Sequence, residues 1–226
     1  MRIRWYGQSA FSLTGEKSIF IDPFGDMSGL AAARGMRFDY PAIEGATADL
    51  LLVTHEHRDH NAVDAVTGSP VVIRSTAGRL ESPAGEVVAV ASEHDGAAGT
   101  VRGPNTIFCF TLDGLRVCHL GDFGQPALRP EQREAIGAVD VLFVPAGGGP
   151  TVGGSEAADV VRALAPRLVV PMHYRTEALG FLDPPDAFLE ALGARVERLE
   201  SSEVEVEGLL GSPAEPVVAL LAPPLA

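Results

Sequence analysis

The chain has 226 residues, 46% of them hydrophobic and 21% charged, an ordinary globular composition with enough length to bury a substantial core. Seventeen basic residues against 30 acidic ones give a formal net charge of −13, a surface that repels phosphate backbones and argues against nucleic acid as a partner. No window reaches the roughly 20 apolar residues that span a bilayer, and Met1-Arg2-Ile3-Arg4-Trp5-Tyr6 lacks the apolar core of a signal peptide. The expectation is one soluble, cytoplasmic domain over 1–226, with no membrane partner.

In chain order, short β-like runs come first, at 2–6, 10–13, 17–21, 49–53, 70–73, 86–90, 106–112 and 115–120. They are rich in Val, Ile, Phe and Leu and are bounded by Gly, Pro, Asp and Ser. Phe24–Pro41 interrupts them without clear periodicity; it reads as a binding loop or as a short helix around 28–34 packed on the sheet. A two-residue turn at Asp113-Gly114 would set Cys109 directly opposite Cys118. In a reducing compartment that pair is expected as free thiols.

Helical signals follow. Pro130 precedes 131–136 and Gly137 closes it. Ser155 is the expected N-cap of a helix over 156–165, ended by Pro166. A third helix runs from Pro184 to Gly193. Strands at 139–144 and 167–171 alternate with these helices, and Pro216–Ala226 holds a last strand. Strands in number followed by strand–helix alternation give a layered α/β architecture.

Leu50-Leu51-Leu52-Val53-Thr54 reads as a buried strand running directly into His55-Glu56-His57-Arg58-Asp59-His60. Only six histidines occur in the chain, and three fall within these six residues. Imidazole and carboxylate suit zinc and similar divalent ions. His55 and His57, two apart in extended chain, point the same way and can grip one ion, while Asp59 and His60 can reach a second. His94, Asp122 and His173 each sit just past the end of an apolar run, where loops carry function on a rigid scaffold.

His55-x-His57-x-Asp59-His60, followed in order by His94, Asp122 and His173, resembles the pattern of the metallo-β-lactamase superfamily. The resemblance implies a four-layer αββα sandwich with metals at one edge. It assigns His55, His57 and His94 to a first metal, Asp59, His60 and His173 to a second, and Asp122 as the bridge. The implied cofactors are two divalent metal ions, zinc foremost, with manganese or iron also accepted. The implied activity is hydrolysis of a small ester, lactone or phosphodiester by a hydroxide shared between the ions, with Asp59 as the catalytic residue. Trp5–Phe11, Ile21-Asp22-Pro23 and Pro171-Met172-His173-Tyr174 are similar to the compact branch containing L-ascorbate-6-phosphate lactonase-like proteins. That branch often has His where this chain has Gln8.

Other residues carry weaker readings. His119 is a structural histidine or a partner that orients a ligand. Arg58 and Arg175 flank ligand candidates and are candidates to bind an anionic small-molecule substrate. Gly147-Gly148-Gly149 and Gly153-Gly154 lack the Gly-Lys-Ser/Thr ending of a nucleotide loop. They are expected to let backbone pass close to the metal centre, with phosphate at the following helix as a lesser option. An iron-dependent oxidoreductase of the sulfur-oxidising type and a non-catalytic binding protein are the alternatives on this fold. An edge strand or the 24–41 segment is a candidate homo-oligomer contact.

Overall fold

A computed structural model describes residues 1–224. Two sheets lie face to face. The first runs Glu203–Glu205, Arg2–Gly7, Ala10–Thr14, Ser18–Ile21, Leu50–Val53, Val71–Arg74. The second runs Arg195–Arg198, Val217–Leu220, Leu168–Met172, Val141–Pro145, Leu115–His119, Pro104–Leu112, Gly85–Glu93, Gly78–Ser82.

Between the sheets Ile3, Trp5, Phe11, Leu13, Leu50 and Leu52 meet Phe108, Phe110, Val117, Val141, Phe143 and Val170. Alternation sends the intervening residues outward. Leu51 and Phe20 join Phe24, Phe38, Tyr40 and Ile43 on the outer face of the first sheet. Leu142, Val144 and Val169 join Ile136, Val160, Val161 and Phe188, from the helices Pro130–Ile136, Gly154–Leu164 and Asp186–Leu192, on the outer face of the second. Leu50-Leu51-Leu52-Val53 is a continuous apolar run because both of its faces are covered. Each fully buried leucine there contributes roughly 1.5–3 kcal/mol.

The layers are those expected, with one layer thin. Outside the first sheet the cover is the six-residue helix Ser28–Ala33, a 3-10 turn at Val63–Ala65, and a ribbon of Ala46–Thr47 with Val66–Thr67. The Phe24–Pro41 segment is therefore helical at Ser28–Ala33, and it also lines the main cavity beside the site.

Besides the two-stranded ribbon, the sequence reading lacks Gly78–Ser82, Arg195–Arg198 and Glu203–Glu205, which are all edges of the two main sheets. Their residues are exposed or half-buried, so no apolar run marks them, as suits strands that must not pair with another chain. Val217–Leu220 lies inside the second sheet, between Leu168–Met172 and Arg195–Arg198. Residues 225 and 226 of the anticipated 216–226 strand fall outside the described residues. Cys109 pairs in register with Cys118; both are buried and unbridged.

The helix expected over 156–165 begins two residues earlier, at Gly154, and Gly153 rather than Ser155 is its N-cap, with no side-chain hydrogen bond. A Cβ at Gly154 would come within 2.5 Å of the Phe188 backbone nitrogen. The missing side chain at Gly154 lets this helix touch the helix that carries Phe188. At Gly147 a Cβ would lie 2.3 Å from the His173 carbonyl oxygen, which is the close backbone passage expected there.

Candidate metal centre

Hydrogen-bond register brings the site together. Leu115–His119, Val141–Pro145 and Leu168–Met172 are parallel, and Gly85–Glu93 shares their direction through two antiparallel pairings. His94, Asp122 and His173, which follow three of these strands, therefore emerge at one edge. Leu50–Val53 of the other sheet delivers His55 to His60 to the same place.

The hub is Asp122. Its Oδ2 lies 3.2 Å from His94 Nε2, 3.2 Å from His173 Nε2, 3.3 Å from His60 Nε2 and 4.0 Å from His55 Nε2. His55 Nε2 stands 3.0 Å from His57 Nδ1, and Asp59 Oδ2 lies 3.6 Å from His60 Nε2. All seven candidate residues thus converge. Their ligand atoms fall into two groups, His55 with His57 and His94, and His55 with His60 and Asp122.

A surrounding shell fixes the imidazole protons. Asp22, fully buried, accepts from the Thr54 backbone N–H at 2.8 Å and from Thr54 Oγ1 at 2.7 Å. It also accepts from His60 Nδ1 at 3.0 Å. The single Thr54 hydroxyl proton is spent on Asp22, so Thr54 Oγ1 must accept from His55 Nδ1, 3.0 Å away. The Pro150 carbonyl accepts from His94 Nδ1 at 3.0 Å. His55, His60 and His94, when neutral, therefore all turn a bare Nε2 lone pair toward a carboxylate oxygen.

Lone pairs facing a carboxylate at such distances repel unless cations lie among them, and buried His60 Nε2 has no hydrogen-bond partner among the described residues. Separations of 3.0–3.3 Å match the edge of a tetrahedron with metal–nitrogen bonds of about 2.0–2.1 Å. The donor set fits a divalent ion.

Electrostatics agree. Burial drives the His55 imidazole far below its usual value, with neighbouring His60 adding to the effect. Burial also opposes a charge on His60, yet Asp122, Asp59 and Asp22 together hold that imidazole well above its usual value. Burial would raise Asp122, but His173 and His60 keep it well below the ordinary carboxylate range. The carboxylate field that would hold a proton on His60 is the field that attracts a metal cation.

Gln8, Asp22 and His173 all adopt left-handed backbone angles, with φ of 51°, 52° and 49°, a strain that the surrounding structure must hold. The Gln8 amide donates to Asp59 Oδ2 at 3.1 Å, and Ser9 Oγ donates to Asp122 Oδ1 at 3.2 Å. His119 Nε2 donates to the Ser9 carbonyl at 3.1 Å, and its Nδ1 accepts from the Gly121 N–H at 3.1 Å. It braces the two loops that carry Ser9 and Asp122.

Arg58 lines the cavity at the site. Arg175 does not: its Nε donates to the Leu182 carbonyl at 2.5 Å, so its charge anchors a loop and the anion-binding role fails for it. Sequence reasoning missed Asp22 as the partner of His60, although Ile21-Asp22-Pro23 was among the stretches that carried the resemblance. It also missed Arg34 and Arg102 on the cavity wall; no local pattern marks either.

This fold, with histidines and aspartates gathered at one edge of two sheets, defines a metallo-β-lactamase-type metal site. The Beta-lactamase superfamily domain matches residues 2–173, and the chain belongs to that superfamily as one of its metal-dependent hydrolases. It is 32% identical to a UPF0173 metal-dependent hydrolase of Thermococcus onnurineus over 87% of this chain and 94% of that one. A UPF0173 metal-dependent hydrolase of Methylobacterium nodulans is 34% identical over 85% of this chain and 92% of its own. Among solved structures, a Thermotoga maritima protein assigned to the Zn-dependent hydrolases of the metallo-β-lactamase superfamily superposes with a TM-score of 0.76. It is 33% identical, with 97% of each chain covered.

Proposed function

We propose that the protein is a dinuclear metal-dependent hydrolase of a small ester, lactone or phosphodiester. The observation that carries this reading is the convergence of three tautomer-fixed Nε2 atoms on one oxygen of Asp122. His55 Nε2, His57 Nδ1 and His94 Nε2 would hold one ion, Asp59, His60 and His173 the other, with Asp122 shared. Two such ions, zinc by ligand type, would supply a nucleophile active near neutral pH and a Lewis acid for the scissile carbonyl or phosphoryl oxygen.

The chain's own residues do the rest. Water adds its oxygen to the carbonyl carbon or phosphorus, the bond to the leaving oxygen breaks, and one proton moves to that oxygen. Asp59, half-buried and lining the cavity, takes the proton of the attacking water and delivers it to the leaving group. Gln8 aims Asp59 by donating to Oδ2. Asp22 and Pro150 keep the imidazoles in the ligating tautomer. A full second set, Asp59 with His60 and His173, favours hydrolysis over the mononuclear-iron alternative.

Turnover of a panel of lactones, carboxylic esters and phosphodiesters, with added zinc or manganese, tests this reading. The Asp59→Ala variant is expected to lose at least about 100-fold in rate, the scale of a positioned proton-transfer group. Near-wild-type turnover by that variant at full metal content would refute the role of Asp59.

A further inference from the structure

The cavity beside the site is about 920 Å³, within the range of small-molecule pockets, and its walls differ in chemistry. Helix Ser28–Ala33 and its flanks supply Met27, Leu30 and Met36, flexible side chains that mould to irregular apolar shapes. Phe181 adds a ring that is 42% exposed, one of four large hydrophobic residues left so open among the described residues.

Arg34, Arg58 and Arg102 line the same cavity. Nine of the sixteen arginines are ion-paired, and Arg133 and Arg175 donate to carbonyls. That leaves Arg34, Arg58, Arg102, Arg116 and Arg198 without an ion pair or a side-chain hydrogen bond among the described residues, and three of these five share one cavity. In a chain of net charge −13, unpaired guanidinium groups gathered beside one apolar wall are complementary to an anion with a hydrophobic body. The acidic residues of the cavity do not neutralise them. Glu56 is paired with Arg74, and Asp59 and Asp122 belong to the metal-ligand set.

Resting on the hydrolase reading of this site, we propose that its substrate is an amphipathic anion: an ester or lactone with an apolar chain of several carbons and a carboxylate or phosphate group. The chain lies on Met27, Leu30, Met36 and Phe181, and the anionic group is held by Arg58 and Arg102, with Arg34 at the rim. Arg58 stands between two metal-ligand candidates, so it brings the anionic end close to the reacting atoms.

Calorimetric binding of octanoate, octyl phosphate, octanamide and butyrate to the metal-loaded protein tests this without turnover. At least one octyl anion is expected to bind about tenfold or more tightly than octanamide or butyrate, since charge-assisted bonds and chain burial must act together. Comparing octanoate with octyl phosphate identifies the head group. The Arg58→Met, Arg102→Met double variant, at unchanged metal content, should lose about tenfold or more in anion binding and leave octanamide unaffected. Phe181→Ser should weaken whichever octyl anion binds more tightly while sparing butyrate. Equal binding of octanamide and both octyl anions overturns the proposal, as does undiminished anion binding in the double variant. Because ion content and panel turnover are measured separately, failure here is distinguishable from failure of the hydrolase reading.

Discussion

A single carboxylate, Asp22, sets the protonation of two imidazoles: it accepts directly from His60 and, through Thr54, orients His55. Asp22→Ala strands those donors in a buried place, at a cost of about 1–3 kcal/mol for each group left unmet. Metal affinity should fall about 10–100-fold, read by competition with a chromogenic chelator. Glu56 offers a test in the opposite direction of exposure. Hydrogen bonds from Arg74, helped by Ser75 and Asn61, pull its carboxyl down from 4.5 to about 2 against the penalty of partial burial. A depressed carboxylate stabilises the fold fully above its ordinary value and ceases to do so as pH falls through its folded value. Metal-stripped wild type should therefore melt above metal-stripped Glu56→Gln near neutral pH, and the gap should close between about pH 4.5 and 2. A gap independent of pH would remove the ion pair as its cause.

Among the elements, the last strand is the most informative. Val217–Leu220 is interior, hydrogen-bonded on both sides, and Val218 and Ala219 are fully buried. Removing the chain from Pro216 onward exposes both neighbouring strands and opens the two cores that this strand touches. Deletion of residues 216–226 should give insoluble or molten protein, measured by soluble yield and near-ultraviolet dichroism. A cooperative melt from the truncated chain would contradict the placement. Helix Ser28–Ala33 is the reverse case: it has no side-chain cap, and only Ala31 is buried. It belongs to the low-stability end of the structure, as suits an element that lines a binding cavity.

At the scale of the whole molecule, two sheets converge their loops on one cluster of lone pairs and carboxylates, so metal and fold are coupled. An ion that binds only the folded chain adds about 2.7 kcal/mol at a hundred times its Kd, or roughly 5–10 °C in Tm for a domain of this size. Chelation near neutral pH should lower Tm by that amount, and re-addition of zinc should restore it, by scanning calorimetry. No shift would mean that the cluster does not hold metal in the folded state.

The sequence by itself marked the candidate ligand residues, because metal chemistry demands His and Asp and the strand before them is marked by its apolar run. It also determined the interior strands and three of the four described helices, whose apolar runs and end signals are local. Edge strands such as Arg195–Arg198 stayed hidden because half-exposed strands carry no apolar pattern. Which imidazole nitrogen faces the centre was likewise beyond the sequence, since Asp22 and Pro150 reach His60 and His94 from 38 and 56 residues away. The same holds for the arginines. Arg58, Arg102 and Arg175 look alike along the chain, and only the tertiary structure leaves the first two facing a cavity while tying the third to a carbonyl. An arginine's partners come from other elements, so its role is decided by packing and not by its neighbours in sequence.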